Sequence, residues 1–184
     1  MRLKQLLLIS FLILSKTFSN IIHVPDNYPT IQAGIDAASD SDTVLVSDGE
    51  YYENLILDKD ITLASHFLLD LLVSHRDSTI INGSFASDDI EYGSCLVISG
   101  DDIYPIVSGF TFTGGKGTIT IEEIENPDGT VETLYSRRGG GLAIYRSSAT
   151  VMYNTFYDNG NLGRGSRIAG GGGASFIGTG IGVG

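Results

Sequence analysis

A single cysteine in 184 residues excludes an internal disulfide, so packing and hydrogen bonds must hold this chain together. Tryptophan is absent, and proline occurs only 4 times. Basic residues are scarce: 11 Lys and Arg stand against 22 Asp and Glu, a formal charge of -11, which argues against nucleic acid as the main partner. Disorder is also excluded, because only 18 % of residues are charged while 42 % are hydrophobic. The length fits one domain at most.

The apolar residues are distributed unevenly, and the first cluster is an address. Arg2 and Lys4 precede the run Leu6 to Leu14, and the small residues Thr17 and Ser19 follow it, so residues 1–19 read as a secretory signal peptide. The run falls short of the ~20 residues that span a bilayer. The later stretch FLLDLLV is broken by Asp70, so no membrane span is expected once the leader is removed. Cleavage would leave 22 acids against 8 bases. The expected location is outside the cell, secreted or on its surface.

Residues 20–42 read as a short extended lead-in followed by a capping helix. Ile31, Gly34, Ile35 and Ala38 recur at helical spacing, with Thr30 as N-cap, which predicts a short amphipathic helix over 30–38. From Thr43 the pattern changes to short β-rich pieces separated by Asp, Gly, Ser or Asn: TVLV, NLIL, ITLAS, STIIN, CLVIS, PIVSGFTFT, GLAIY and ATVMYNTF. The class is therefore all-β, as a sandwich, barrel or solenoid. Cys95, inside SCLVIS, reads as a buried strand residue.

Self-comparison favours the solenoid. GFTFTGG at 109–115 and YNTFYDN at 153–159 align Thr111 with Thr155 and Phe112 with Phe156 at an offset of 44 residues. A glycine-rich start at Gly139 recurs at Gly171, 32 residues on. Residues 117–138 interrupt the repeat as a hairpin-like insertion, two alternating arms around Asn126, Pro127, Asp128 and Gly129. Without that insertion the period falls to roughly 20–25 residues, a solenoid value. Residues 43–177 would then form stacked coils, with the helix covering the first. The last 22 residues hold ten glycines, and 178–184 show no polar cap, so this reading expects further coils downstream in a longer protein.

The opening PTIQAGIDAASDSDTVLVSDGEYYENLIL resembles that of right-handed parallel β-helix proteins of the pectin lyase-like class, pectinesterase-type openings above all. Ile31, Gln32, Thr43, Val44, Gly49, Tyr51 and Glu53 carry the likeness. GGGLAIYRSSATVMYNTFYDNG is similar to β-helix repeats of large secreted bacterial proteins and of outer-surface adhesins. The resemblance implies a right-handed parallel β-helix with a short capping helix. It also implies a pectinesterase or pectate lyase relative, or an adhesin or autotransported passenger, as alternative functions.

The catalytic motifs of that class do not carry over. Pectinesterase-like GxQDTL and LGRPW are missing, and NLGRGS at 161–166 shares only Leu-Gly-Arg with the second. A lyase would need calcium-binding carboxylates, for which Asp88, Asp89, Asp101 and Asp102 are candidates; their Ser and Gly neighbours favour solvated turns. His23, His66 and His75 lie on separate segments without ligand-like spacing, so no metal is expected, nor any cofactor beyond calcium in the lyase case. Gly139–Gly141 and Gly170–Gly173 lack the Lys-Ser or Lys-Thr of a phosphate cradle and read as tight turns.

One cluster remains. Arg137, Arg138, Arg146, Arg164 and Arg167 hold five of the 8 bases left after cleavage, interleaved with Tyr135, Tyr145 and Tyr153. Guanidinium forks pair with carboxylates and tyrosine faces cover sugar rings, so Arg137, Arg138, Tyr145, Arg146 and Tyr153 are the candidate ligand-binding residues. The alternative is that these arginines balance Glu122, Glu123, Glu125, Asp128 and Glu132 of the insertion. The expected function is a non-catalytic interaction surface for an acidic polysaccharide or a cell-surface glycan.

Overall fold

A computed structural model describes residues 19–86, 91–160, 169–170 and 173–177. In chain order the elements are β1 (Ile21–Val24), α1 (Ile31–Ala37), β2 (Thr43–Val46), β3 (Gly49–Tyr51), β4 (Leu55–Leu57), β5 (Thr62–Ser65), α2 (Phe67–Asp70), α3 (Val73–Ser78), β6 (Thr79–Asn82), β7 (Tyr92–Gly93), β8 (Leu96–Ser99), β9 (Ile106–Ser108), β10 (Thr111–Thr113), β11 (Gly117–Glu125), β12 (Val131–Arg138), β13 (Leu142–Tyr145), β14 (Thr150–Met152), β15 (Thr155–Phe156), β16 (Ala169–Gly170) and β17 (Ala174–Ile177). The chain is mainly β. Among the described residues no helix is long and apolar enough to cross a membrane.

Three sheets are wholly parallel: β1-β2-β5-β9-β14, β3-β6-β10-β15 and β4-β8-β13-β17. Parallel neighbours ordinarily need a long crossover, commonly a helix. Here strands of the other two sheets make the crossover, so the chain visits the three sheets in a fixed order: β2, β3, β4, then β5, β6, β8, then β9, β10, β13, then β14, β15, β17. A fourth sheet, β7-β11-β12-β16, holds the antiparallel hairpin β11–β12.

Register converts repeated sequence into a stacked core. Leu55, Leu96 and Leu142 lie one above another, as do Leu57, Ile98 and Ile144, while Tyr51, Ile81, Phe112 and Phe156 form a third column. Val44, Leu63, Val107 and Val151 form a fourth. These residues belong to, or pack against, one hydrophobic cluster. Each fully buried Leu, Ile or Phe is worth roughly 1.5–3 kcal/mol, so the columns supply most of the stabilisation. The pairing of Thr111 with Thr155 and of Leu142 with Ala174 is the one that the 44- and 32-residue offsets give.

Asparagines bind the turns between levels. Asn154 accepts from Phe110 N and donates to Val107 O, and Asn159 accepts from Gly115 N and donates to Phe112 O. Asn54 donates to Gly83 O and Ser94 O. Each side-chain amide thus satisfies backbone groups that the short strands leave unpaired.

Helix α1 begins at Thr30, whose hydroxyl accepts from Ala33 N, and it buries Ile31, Gly34 and Ile35. Two side chains from around β4, Glu53 and Lys59, and one of the helix's own, Gln32, fasten it. The Glu53 carboxylate accepts from Ile31 N and Gln32 N, both at 2.9 Å. Gln32 bridges to β4 by donating to Ile56 O and accepting from Ile56 N. At the other end Lys59 Nζ donates to the carbonyls of Ile35, Asp36 and Ala38. An anion at the orphan N–H groups and a cation at the orphan carbonyls oppose the helix dipole at both ends. Gln32 and Glu53 of the opening motif are therefore architectural.

Glu53→Ala should destabilise the chain by about 2 kcal/mol, since it leaves two helix amides without their charged acceptor. Glu53→Gln, which keeps one acceptor oxygen, should cost about half as much. Urea unfolding followed by circular dichroism checks both; equal midpoints for wild type and Glu53→Ala would refute the clamp.

Candidate ligand-binding surface

The hairpin determines where the first arginines go. Side chains alternate along a strand, so neighbours face opposite ways. Arg137 is buried at 8 % exposure and its Nη1 donates to Gly117 O at 2.9 Å. Arg138 faces the other way, half-buried, beside Tyr145. On the hairpin face that Arg137 shares, Ile121 stands directly across from Tyr135, with both exposed.

Tyr145 ends β13 with its hydroxyl buried, and burial pushes that phenol up to about 12. Tyr92 adds to the rise, while Arg138 and the nearby Thr118 hydroxyl oppose it. The Tyr145 hydroxyl has no hydrogen-bond partner, and Thr118 Oγ1 pairs with Ser94 Oγ at 2.7 Å. Arg146, the next residue, has left-handed backbone with φ of 53° and lies on the surface. Its fork grips Asp101 from the level below, Nε to Oδ1 at 2.9 Å and Nη2 to Oδ2 at 2.6 Å. Tyr153 follows β14 at another corner, also left-handed at φ 57°, with its ring against Phe67 at 5.4 Å.

The five candidates thus fall into three places. Arg137, Arg138 and Tyr145 gather at the hairpin base, Arg146 pairs with Asp101, and Tyr153 stands beside α2. Arg164, Arg167, Asp88 and Asp89 lie outside the described residues. Asp102 occupies a turn at φ 59°.

Exposed rings extend well beyond the predicted set. Seven of the nine tyrosines, at positions 28, 52, 92, 104, 135, 153 and 157, are exposed. Tyr52 also stacks on the exposed Phe85, with centroids 4.5 Å apart and planes at 21°. Individually these positions carry no spacing signal. Cys95 is fully buried, and burial raises its thiol to about 11, so it is an inert core residue at neutral pH.

A separate cluster forms where β5 leaves its sheet. His66 and His75, nine positions apart, meet edge to face with centroids 5.7 Å apart. Asp48, from the turn after β2, reaches His75 Nδ1 at 2.7 Å, and Asp70 reaches Nε2 at 3.3 Å. The Asp48 hydrogen bond raises His75 above the ordinary histidine value. His23 lies apart on β1, paired with Leu45.

No family model matches the chain, and no curated protein matches it.

Proposed function

We propose that this chain is a right-handed parallel β-helix, exported from a bacterial cell, whose outer surface binds a glycan without performing catalysis. The ordered return to three parallel sheets supports the architecture, and the leader-like residues 1–19 support export. The exposure of seven of nine tyrosines carries the binding reading. Tyrosine pairs an apolar face with a polar tip, which suits a sugar ring with its hydroxyl rim.

Arg137 turns inward and Arg146 already holds a carboxylate, so ring contacts rather than salt bridges dominate this surface. An acidic polysaccharide would meet a chain of formal net charge -11, and a neutral or weakly charged cell-surface glycan meets less repulsion. The pectinesterase-like opening fits a role in the fold, since Gln32 and Glu53 fasten α1.

Affinity electrophoresis of the full chain against neutral glycans and polygalacturonate tests this. Retention by at least one glycan is expected, to be weakened about tenfold, worth ~1.4 kcal/mol, by Tyr135→Ala with Tyr153→Ala. Tyr135 and Tyr153 are 58 % and 60 % exposed, so both variants are expected to fold, which circular dichroism checks. Retention of no glycan, or binding abolished by salt but indifferent to both tyrosines, would overturn the reading.

A further inference from the structure

The cluster below α2 and α3 is built from parts that sequence spacing keeps apart. His66 ends the segment after β5, Asp70 ends α2, and Leu71 at φ 62° turns the chain back so that α3 brings His75 over His66. Asp48 approaches from the neighbouring level, 27 residues earlier. One donor atom each from Asp48, His66 and His75 lies within 4.8 Å of the other two. Both histidines are half-buried, while Asp48 is open to solvent. The inner edge of the group is therefore sheltered and its outer edge remains accessible.

We propose that Asp48, His66 and His75 bind a borderline divalent transition ion, with Zn²⁺ as the representative. Two imidazoles and a carboxylate are the donor types that such ions prefer, whereas calcium and magnesium take oxygen ligands. Metal–nitrogen and metal–oxygen distances of about 2.0–2.2 Å place tetrahedral donors roughly 3.4 Å apart. The donor atoms, all within 4.8 Å of one another, would close by up to about 1.4 Å onto an ion. In the bound form His75 Nδ1 turns from Asp48 to the ion that both now share, and Nε2–H donates to Asp70. Asp70 is then the outer carboxylate that orients a metal-binding imidazole. Three protein ligands leave a fourth position for water.

The ion would fasten α2 and α3 to the β2–β3 turn. That excursion carries Leu68, Leu69, Leu71, Leu72 and Val73, all exposed. The ion would therefore set the orientation of the longest exposed apolar run among the described residues.

Isothermal titration of the chelator-treated full chain with Zn²⁺ is the first test. One ion per chain is expected, with a dissociation constant in the micromolar range or tighter and a melting temperature that rises with Zn²⁺ but not with Mg²⁺ or Ca²⁺. His66→Ala is the decisive variant, because it removes a ligand while leaving the Asp48–His75–Asp70 contacts that hold the excursion. It should weaken binding at least tenfold, whereas His23→Ala should bind as wild type does. Co²⁺ should give visible bands of four-coordinate geometry that His66→Ala abolishes. Absence of Zn²⁺ binding, or binding that His66→Ala leaves unchanged, would overturn the proposal and identify the cluster as an ion-pair staple.

Discussion

Gly115→Ala is expected to unfold the chain or cost it more than about 4 kcal/mol, the upper end of single-substitution effects. An added Cβ would sit 1.8 Å from Gly140 O and 2.7 Å from Gly140 C, far inside any real contact, and 2.9 Å from Cys95 Sγ. Gly140 cannot yield cheaply, because its carbonyl accepts from Cys95 N at 3.0 Å and so fixes the start of β8 against β13. Gly115 is held too, with its N–H on Asn159 Oδ1 and its carbonyl accepting from Gly160 N. Two other glycines separate the causes. Gly129 has open space but φ of 82°, so Gly129→Ala should cost only about 1 kcal/mol of backbone strain. An added Cβ at Gly160 meets nothing within 4 Å and the backbone has no such φ, so Gly160→Ala should be near neutral. Urea unfolding of the three variants checks the order; a stable Gly115→Ala would show that the two glycine backbones do not meet.

Local and repeated features of this fold were legible in the sequence, and long-range side-chain meetings were not. Helix α1 is written in the spacing of Ile31, Ile35 and Ala38 after Thr30. The pairing of β10 with β15 is written in the recurrence of Thr-Phe, because identical residues stacked in register are how such a repeat buries its apolar side chains. The clamp of Glu53 and Lys59 on α1 has no local signal, since each contact spans more than 20 positions. Five of the six apolar residues of FLLDLLV are exposed on the excursion of α2 and α3, which their composition does not announce. Their neighbours His66 and His75 are separated by nine positions, and only the left-handed turn at Leu71 closes the gap.

The ligand-binding candidates show the same limit. Density of arginine and tyrosine along the chain predicts one patch, but period-2 alternation sends Arg137 and Arg138 to opposite faces of β12. Strand ends then place Arg146 and Tyr153 on different sheets' corners. Exposure of tyrosine at seven positions is the surface property that composition could not locate.

Phe112→Ala should cost about 3–5 kcal/mol, the range for emptying a fully buried phenylalanine site. Phe112 is 0 % exposed and sits between Ile81 and Phe156, stacked on the latter at 5.0 Å with planes 10° apart. Phe110 approaches from the same level at 5.9 Å. The neighbours cannot close over the gap, because Phe112 O holds the Asn159 amide and the hydrogen bonds of β10 to β6 and β15 set the spacing of the levels. Phe112→Leu should cost less, about 1–1.5 kcal/mol, since it keeps most of the volume. Phe85→Ala, at a ring 75 % exposed, should change stability by under about 0.5 kcal/mol. The measurement is the urea midpoint at unchanged m-value for all three. A Phe112→Ala loss no greater than that of Phe85→Ala would mean that the stacked column does not carry the core.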